Sequence, residues 1–204
     1  MQSLIFRNAA AAFIVASLAF PVGSSIAHTI EVPDDKKDEI TDEIENGLLQ
    51  YLDGGFAEAK FALENALQML AKLKAQGLSA FLPAIPDDSW TREDSAQTAA
   101  MPFGGGTSAS AKYTSAGQTC NVSITTDSPM LQMLAMAYNS PAMLAAQGGR
   151  FESVNGQRVV VTNKGEAHVI INNYFIQYTG NNCTEENKMA LAGATDFEGI
   201  KTFQ

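Results

Sequence analysis

Residues 150–179, RFESVNGQRVVVTNKGEAHVIINNYFIQYT, decide the fold class. Four short runs rich in β-branched and aromatic residues occupy 150–154, 158–162, 167–171 and 174–179. They are separated by Asn155-Gly156, Lys164-Gly165 and Asn172-Asn173, pairs suited to tight turns. Connections this short force antiparallel neighbours, because a parallel crossover needs a dozen residues or more. Upstream, strand-like runs at 112–115 and 120–125 flank Ala116-Gly117, a further hairpin signal. Between the two groups, Ser128-Pro129 opens a helix through Met130, Met133, Leu134 and Tyr138, which Pro141 interrupts before Gly148-Gly149. Downstream, Thr184 caps a final helix whose first turn carries Glu185 and Glu186. Its apolar face is expected at Met189, Ala192, Phe197 and Ile200.

Toward the N-terminus the period changes. Pro33, Asp34 and Asp35 are helix-start signals, and Ile40, Ile44, Leu48 and Leu52 then recur every fourth residue. Gly54-Gly55 interrupts, and a second periodic run follows through Phe56, Leu63, Leu67, Leu70 and Leu73 to Gly77. A helical hairpin and one bent helix both fit. The predicted fold is therefore α+β: N-terminal amphipathic helices followed by a ββαββββα unit, an antiparallel sheet with helices covering one face. Pro83, Pro86, the polar stretch 87–97 and Gly104-Gly105-Gly106 read as a connector. The expected organisation is a signal segment at 1–27, a helical segment at 28–82, a connector at 83–108 and a sheet domain at 109–204.

The signal reading rests on Arg7, an apolar run at residues 9–20, a break at Pro21 and Gly23, and small residues at Ser25 and Ala27. The run is short for a membrane span, and cleavage is expected before His28. No second long apolar run follows, so no transmembrane segment is expected in the mature chain. The whole chain carries 13 basic and 22 acidic residues, a net charge of −9, and removing residues 1–27 takes away only Arg7. An acidic export product is a poor ligand for nucleic acid, whose phosphates call for clustered Lys and Arg. The same balance opposes anionic lipid surfaces. Two cysteines remain, Cys120 and Cys183. In an oxidising compartment such a pair is expected to close, stabilising the fold by roughly 4 kcal/mol on loop-entropy grounds.

Leu82-Pro83-Ala84-Ile85-Pro86 before Trp90, the Asp127-Ser128-Pro129-Met130 turn and the closing hairpin with its acid-capped helix resemble an uncharacterised family of exported bacterial proteins. The hairpin–helix ending is also similar to the Mog1/PsbP-like sandwich fold. The resemblance implies a fold and a compartment, with no activity and no functional residues attached.

Motifs for chemistry are sparse. There is no Gly-x-Ser-x-Gly elbow and no Ser-x-x-Lys, and the only histidines are His28 and His168. His168 stands beside Val169 and Ile170 on a strand, the setting of a structural histidine. Paired carboxylates, as in a cell-envelope hydrolase, are an alternative that spacing alone does not address. Two copper arrangements are conceivable. Met130, Met133 and Met136 form Met-x-x-Met-x-x-Met, a thioether spacing suited to soft copper, although the same face suits core packing. Cleavage before His28 would also free a histidine amino terminus that, with His168, could brace a copper ion. The leading expectation is an exported, periplasmic or secreted binding or accessory protein, with an unknown envelope protein or ligand as partner and no cofactor.

Overall fold

A computed structural model describes residues 33–98 and 106–203. Two helices, α1 (Asp34–Leu52) and α2 (Phe56–Ser79), precede strands β1 (Thr91–Thr98), β2 (Thr107–Ser115) and β3 (Gln118–Thr126). Helices α3 (Leu131–Tyr138) and α4 (Pro141–Ala146) lead into β4 (Arg150–Val154), β5 (Gln157–Val161), β6 (Ala167–Ile171) and β7 (Tyr174–Asn181). The chain closes with α5 (Glu185–Gly193) and α6 (Phe197–Thr202).

The seven strands form one sheet in the order β1-β2-β3-β7-β6-β5-β4, with every pair antiparallel. The α+β expectation holds. From β3 the chain crosses through α3 and α4 to the far edge, then returns strand by strand until β7 closes against β3. The return uses the tight turns read from the sequence. Asn155 and Gly156 take φ of 50° and 73°, the left-handed pair that matches the twist of a two-residue hairpin.

Strand alternation sorts side chains onto two faces. On one face, Ala109, Ile124, Ile176 and Val169 lie in a row across β2, β3, β7 and β6. They are buried with Leu78 and Phe81 from the end of α2 and its exit, Leu191 of α5, and Ile200 of α6. Tyr178 donates to or accepts from Thr195 at 2.8 Å, and Tyr174 donates to the Phe203 carbonyl at 2.9 Å, so both phenols bury without losing a partner. On the other face, Tyr138 of α3 stacks over His168 and Phe175. Helices therefore lie on both faces of the sheet, where the sequence pattern led us to expect one.

Two further differences have clear causes. Residues 91–98 form strand β1 rather than part of a connector, paired with β2 from Thr91↔Thr114 to Thr98↔Thr107. Their sequence, TREDSAQT, has no apolar alternation because β1 is an edge strand, and charged side chains suit an edge. Arg92 adds a specific reason for it. Its guanidinium donates to the Ser79, Leu82 and Pro83 carbonyls and pairs with Asp94, which supplies the cation that the last turn of α2 lacks. The expected closing helix is two short ones, because Asp196 caps α6 by accepting from the Gly199 amide.

Cys120 and Cys183 meet as expected, with Cα atoms 5.1 Å apart and the sulfurs at disulfide distance. The link ties β3 to the entry of α5, where Thr184 accepts from the Asn187 amide. Among the described residues, no helix is long and apolar enough to cross a membrane.

Candidate functional site

The N-terminal pair settles as a hairpin. The seam between α1 and α2 is built from small residues: Ala59, Ala62 and Ala66 of α2 are buried, together with Ile40 and Gly47 of α1. A β-carbon on Gly47 would come within 2.9 Å of Leu63 Cγ and 3.4 Å of the Ala59 carbonyl oxygen, so the backbones approach closely at this point. Alanines three and four apart form a narrow stripe that lets the helices approach, with Leu63 beside it covering Gly47.

The apolar stripe read from α1 leaves the seam for a geometrical reason. A four-residue repeat advances about 40° per step around a helix of 3.6 residues per turn. Ile40 starts at the seam, and Ile44, Leu48 and Leu52 rotate progressively onto one open side. Phe56, Leu63, Leu67 and Leu70 of α2 emerge on that same side. With Tyr51, these side chains are 43–69% exposed. Between the two ridges runs a groove of about 560 Å³, floored by Gly47 and Ala59 and edged by Lys60 and Glu64. The opposite side of the hairpin carries Glu43, Asn46, Gln50 and Glu58 beside Ala57, Phe61 and Ala62, and Leu49 is exposed outside the groove. Glu43 accepts from Asn65 across the seam at 3.0 Å.

The hairpin is thus amphipathic about the plane of its two axes. Its buried seam holds it together, and one apolar side faces outward. The C-terminal end of α2 packs on the sheet domain, with Ala75 and Leu78 buried there and Lys74 paired with Asp127 at 2.8 Å. A contiguous apolar surface rimmed by charge is the usual mark of an interaction site, since scattered exposed leucines would carry no such meaning. The sequence signal for it was present in the alanine spacing of α2: a seam of Ala59, Ala62 and Ala66 leaves the leucines outside.

The residues singled out for metal binding do not converge. Leu131, Ala135 and Tyr138 turn α3 toward the sheet, so Met133 and Met136 point away, at 67% and 76% exposure. Core packing does not account for these two methionines. Met130, at the N-cap of α3, is also exposed. His168 lies beneath the inner side of α3, 3% exposed, so α3 separates it from Met133 and Met136. His28 falls outside the described residues. Among the described residues, no group of three or more His, Cys, Asp and Glu could hold a metal ion.

His168 is a buried titratable group in the sheet. Its ring stacks at 5.5 Å on both Tyr138 and Phe175. Nε2 stands 3.6 Å from Glu166, and Nδ1 is buried with no hydrogen-bond partner among the described residues. Burial lowers the His168 pKa below the ordinary imidazole value, and the nearby Glu166 carboxylate only partly offsets this. Burial therefore favours the neutral ring.

The cavities beside α3 are small and poor in acids. One of about 140 Å³ is bordered by Asp127, Ser128, Gln132 and Asn173, and its single carboxylate is the one paired with Lys74. Another, of about 270 Å³ between Tyr138, Arg158 and Asn172, has no acid in its lining. Glu43 and Glu58 share a groove, but it lies open on the polar side of the hairpin. A carboxylate-based hydrolase asks for two acids across a deep cleft, and these cavities do not offer that arrangement. No family model, curated protein or solved structure matches this chain.

Proposed function

We propose that this is an exported binding or accessory protein of the bacterial envelope, with the α1–α2 hairpin as its binding arm and the sheet domain as its rigid base. The observation that carries the reading is the outward apolar side of the hairpin from Ile44 to Leu70, next to a sheet whose own core is already closed. Water contact with that much apolar surface is unfavourable, and covering it supplies the driving force for association. Export is supported by the N-terminal charge, apolar run and small-residue cut site, and by the cysteine pair, which suits an oxidising compartment.

The experiment places a photo-crosslinking amino acid at Leu67 in producing cells, with a second probe at Gln68 on the other side of α2. Protein adducts at position 67 that are absent or weak at position 68 are expected. Equal yields at both positions, or none at position 67, would remove the hairpin as the binding surface. N-terminal sequencing of the processed chain is expected to begin at His28. A chain that retains residues 1–27 and stays in the cytoplasm would overturn the export half of the reading.

A further inference from the structure

We infer that the occupant of the hairpin's apolar side is a second copy of this chain, the two hairpins packing face to face as a four-helix bundle. This rests on reading the hairpin as the binding surface and names its partner.

The area comes first. Ile44, Leu48 and Leu52 of α1 face the same way as Phe56, Leu63 and Leu67 of α2, each about half exposed or more. With Tyr51 and Leu70 these eight side chains are 43–69% exposed, and at roughly 100 Å² each they reach the scale of the ~800 Å² that each partner contributes to a standard protein interface. Two helices with no layer above them are half of a four-helix bundle, and a copy of the same pair completes it.

Shape gives the second argument. A two-fold interface must be complementary to itself. This face has both halves of such a fit: a central groove floored by Gly47 and Ala59, and ridges of leucine and phenylalanine on each side of it. A ridge of one copy seats in the groove of the other, as side-chain ridges pack into grooves between helices.

Charge decides the orientation. The base of α1 carries Asp34, Asp35, Asp38, Glu39, Asp42 and Glu43 against Lys36 and Lys37, and the adjoining end of α2 adds only Lys72 and Lys74, the latter already paired with Asp127. Hairpins pointing the same way would set these acidic bases side by side, and like charges that close repel. Hairpins pointing opposite ways keep them apart and leave the two sheet domains at opposite ends. An antiparallel pairing centred near Leu63 also brings Lys60 of each copy toward Glu64 of the other. Within one chain those two side chains are 3.6 Å apart at the rim. The opposite-sign pair thus matches its own image.

Sedimentation of the processed chain, purified from producing cells, tests this. The wild-type chain is expected to be a dimer at micromolar concentration. The double variant Leu63→Glu/Leu67→Glu is expected to raise the dimer Kd at least 100-fold, since it sets four buried charges in the bundle. Phe61→Glu, on the opposite side of α2, is expected to leave the dimer intact. Unchanged far-UV circular dichroism shows that each variant has kept its helices. A wild-type chain that is monomeric at about 100 μM overturns the inference, because a standard interface of this area holds well below that concentration. So does a dimer that survives Leu63→Glu/Leu67→Glu. If the chain is monomeric and the Leu67 adduct in cells contains a different protein, self-association falls while the binding-arm reading stands. If position 67 yields no adduct and the chain is monomeric, both fall.

Discussion

Leu63 of α2 lies across Gly47 of α1, so that a β-carbon on the glycine would stand 2.9 Å from Leu63 Cγ. The hairpin closes at this point. Gly47→Ala is expected to change stability by less than about 1 kcal/mol, since the helix-propensity gain offsets a small shift of the flexible Leu63. Gly47→Leu cannot be absorbed in that way. It meets the Ala59 backbone as well, and should separate the helices at a cost of roughly 1–3 kcal/mol. Urea titration followed by far-UV circular dichroism compares the two, and equal midpoints would contradict the close approach.

The Cys120–Cys183 link spans a sequence separation of 63 residues. Loop-entropy arithmetic puts its stabilisation at about 4 kcal/mol. Replacing both cysteines by serine should therefore lower the unfolding free energy by several kcal/mol, read from the denaturation midpoint. Thiol counting on the unreduced, denatured wild-type chain should find no free thiol, and two per chain would refute the bond.

His168 makes stability depend on pH. Its folded-state pKa is lowered by burial, so between the ordinary value near 6.5 and the folded value the unfolded chain binds the proton more readily. The fold is most stable with respect to this group above pH 6.5. It should lose stability as the pH falls through that value toward the folded pKa, and level off below it. His168→Phe preserves the stack with Tyr138 and Phe175 and removes the titration. Thermal melts from pH 8 to pH 5 should fall less steeply for that variant. Parallel curves would show that His168 is not responsible.

Gly180 pairs with Cys120 at φ of 142°, and a β-carbon there would lie 2.0 Å from the Thr119 carbonyl oxygen. That oxygen and the Cys120 Cα, 2.8 Å from the same β-carbon, are backbone atoms rather than movable side-chain ends. Gly180→Ala is expected to cost roughly 2–3 kcal/mol through backbone strain where β3 meets β7. A thermal midpoint within a degree of wild type would disprove the clash.

Local sequence determined much of this protein. The left-handed pair Asn155-Gly156, the cap at Thr184 and the four-residue apolar repeat of α1 act over a few residues, so turns, helix starts and strand runs were legible. The cysteine pair was legible too, because two cysteines leave one intramolecular pairing. Edge strand β1 was not, because TREDSAQT gains its structure from eight backbone pairings with β2 and from Arg92 folding back onto the end of α2. The side of α3 that meets the sheet was decided by Leu131 and Tyr138 packing down, which turned Met133 and Met136 outward. The hairpin shows the division most clearly. Its apolar residues could be counted from the sequence, but their side depended on which stripe formed the seam. Small residues allow the closest backbone approach, so Ala59, Ala62, Ala66 and Gly47 took the seam, and the leucines were left facing out.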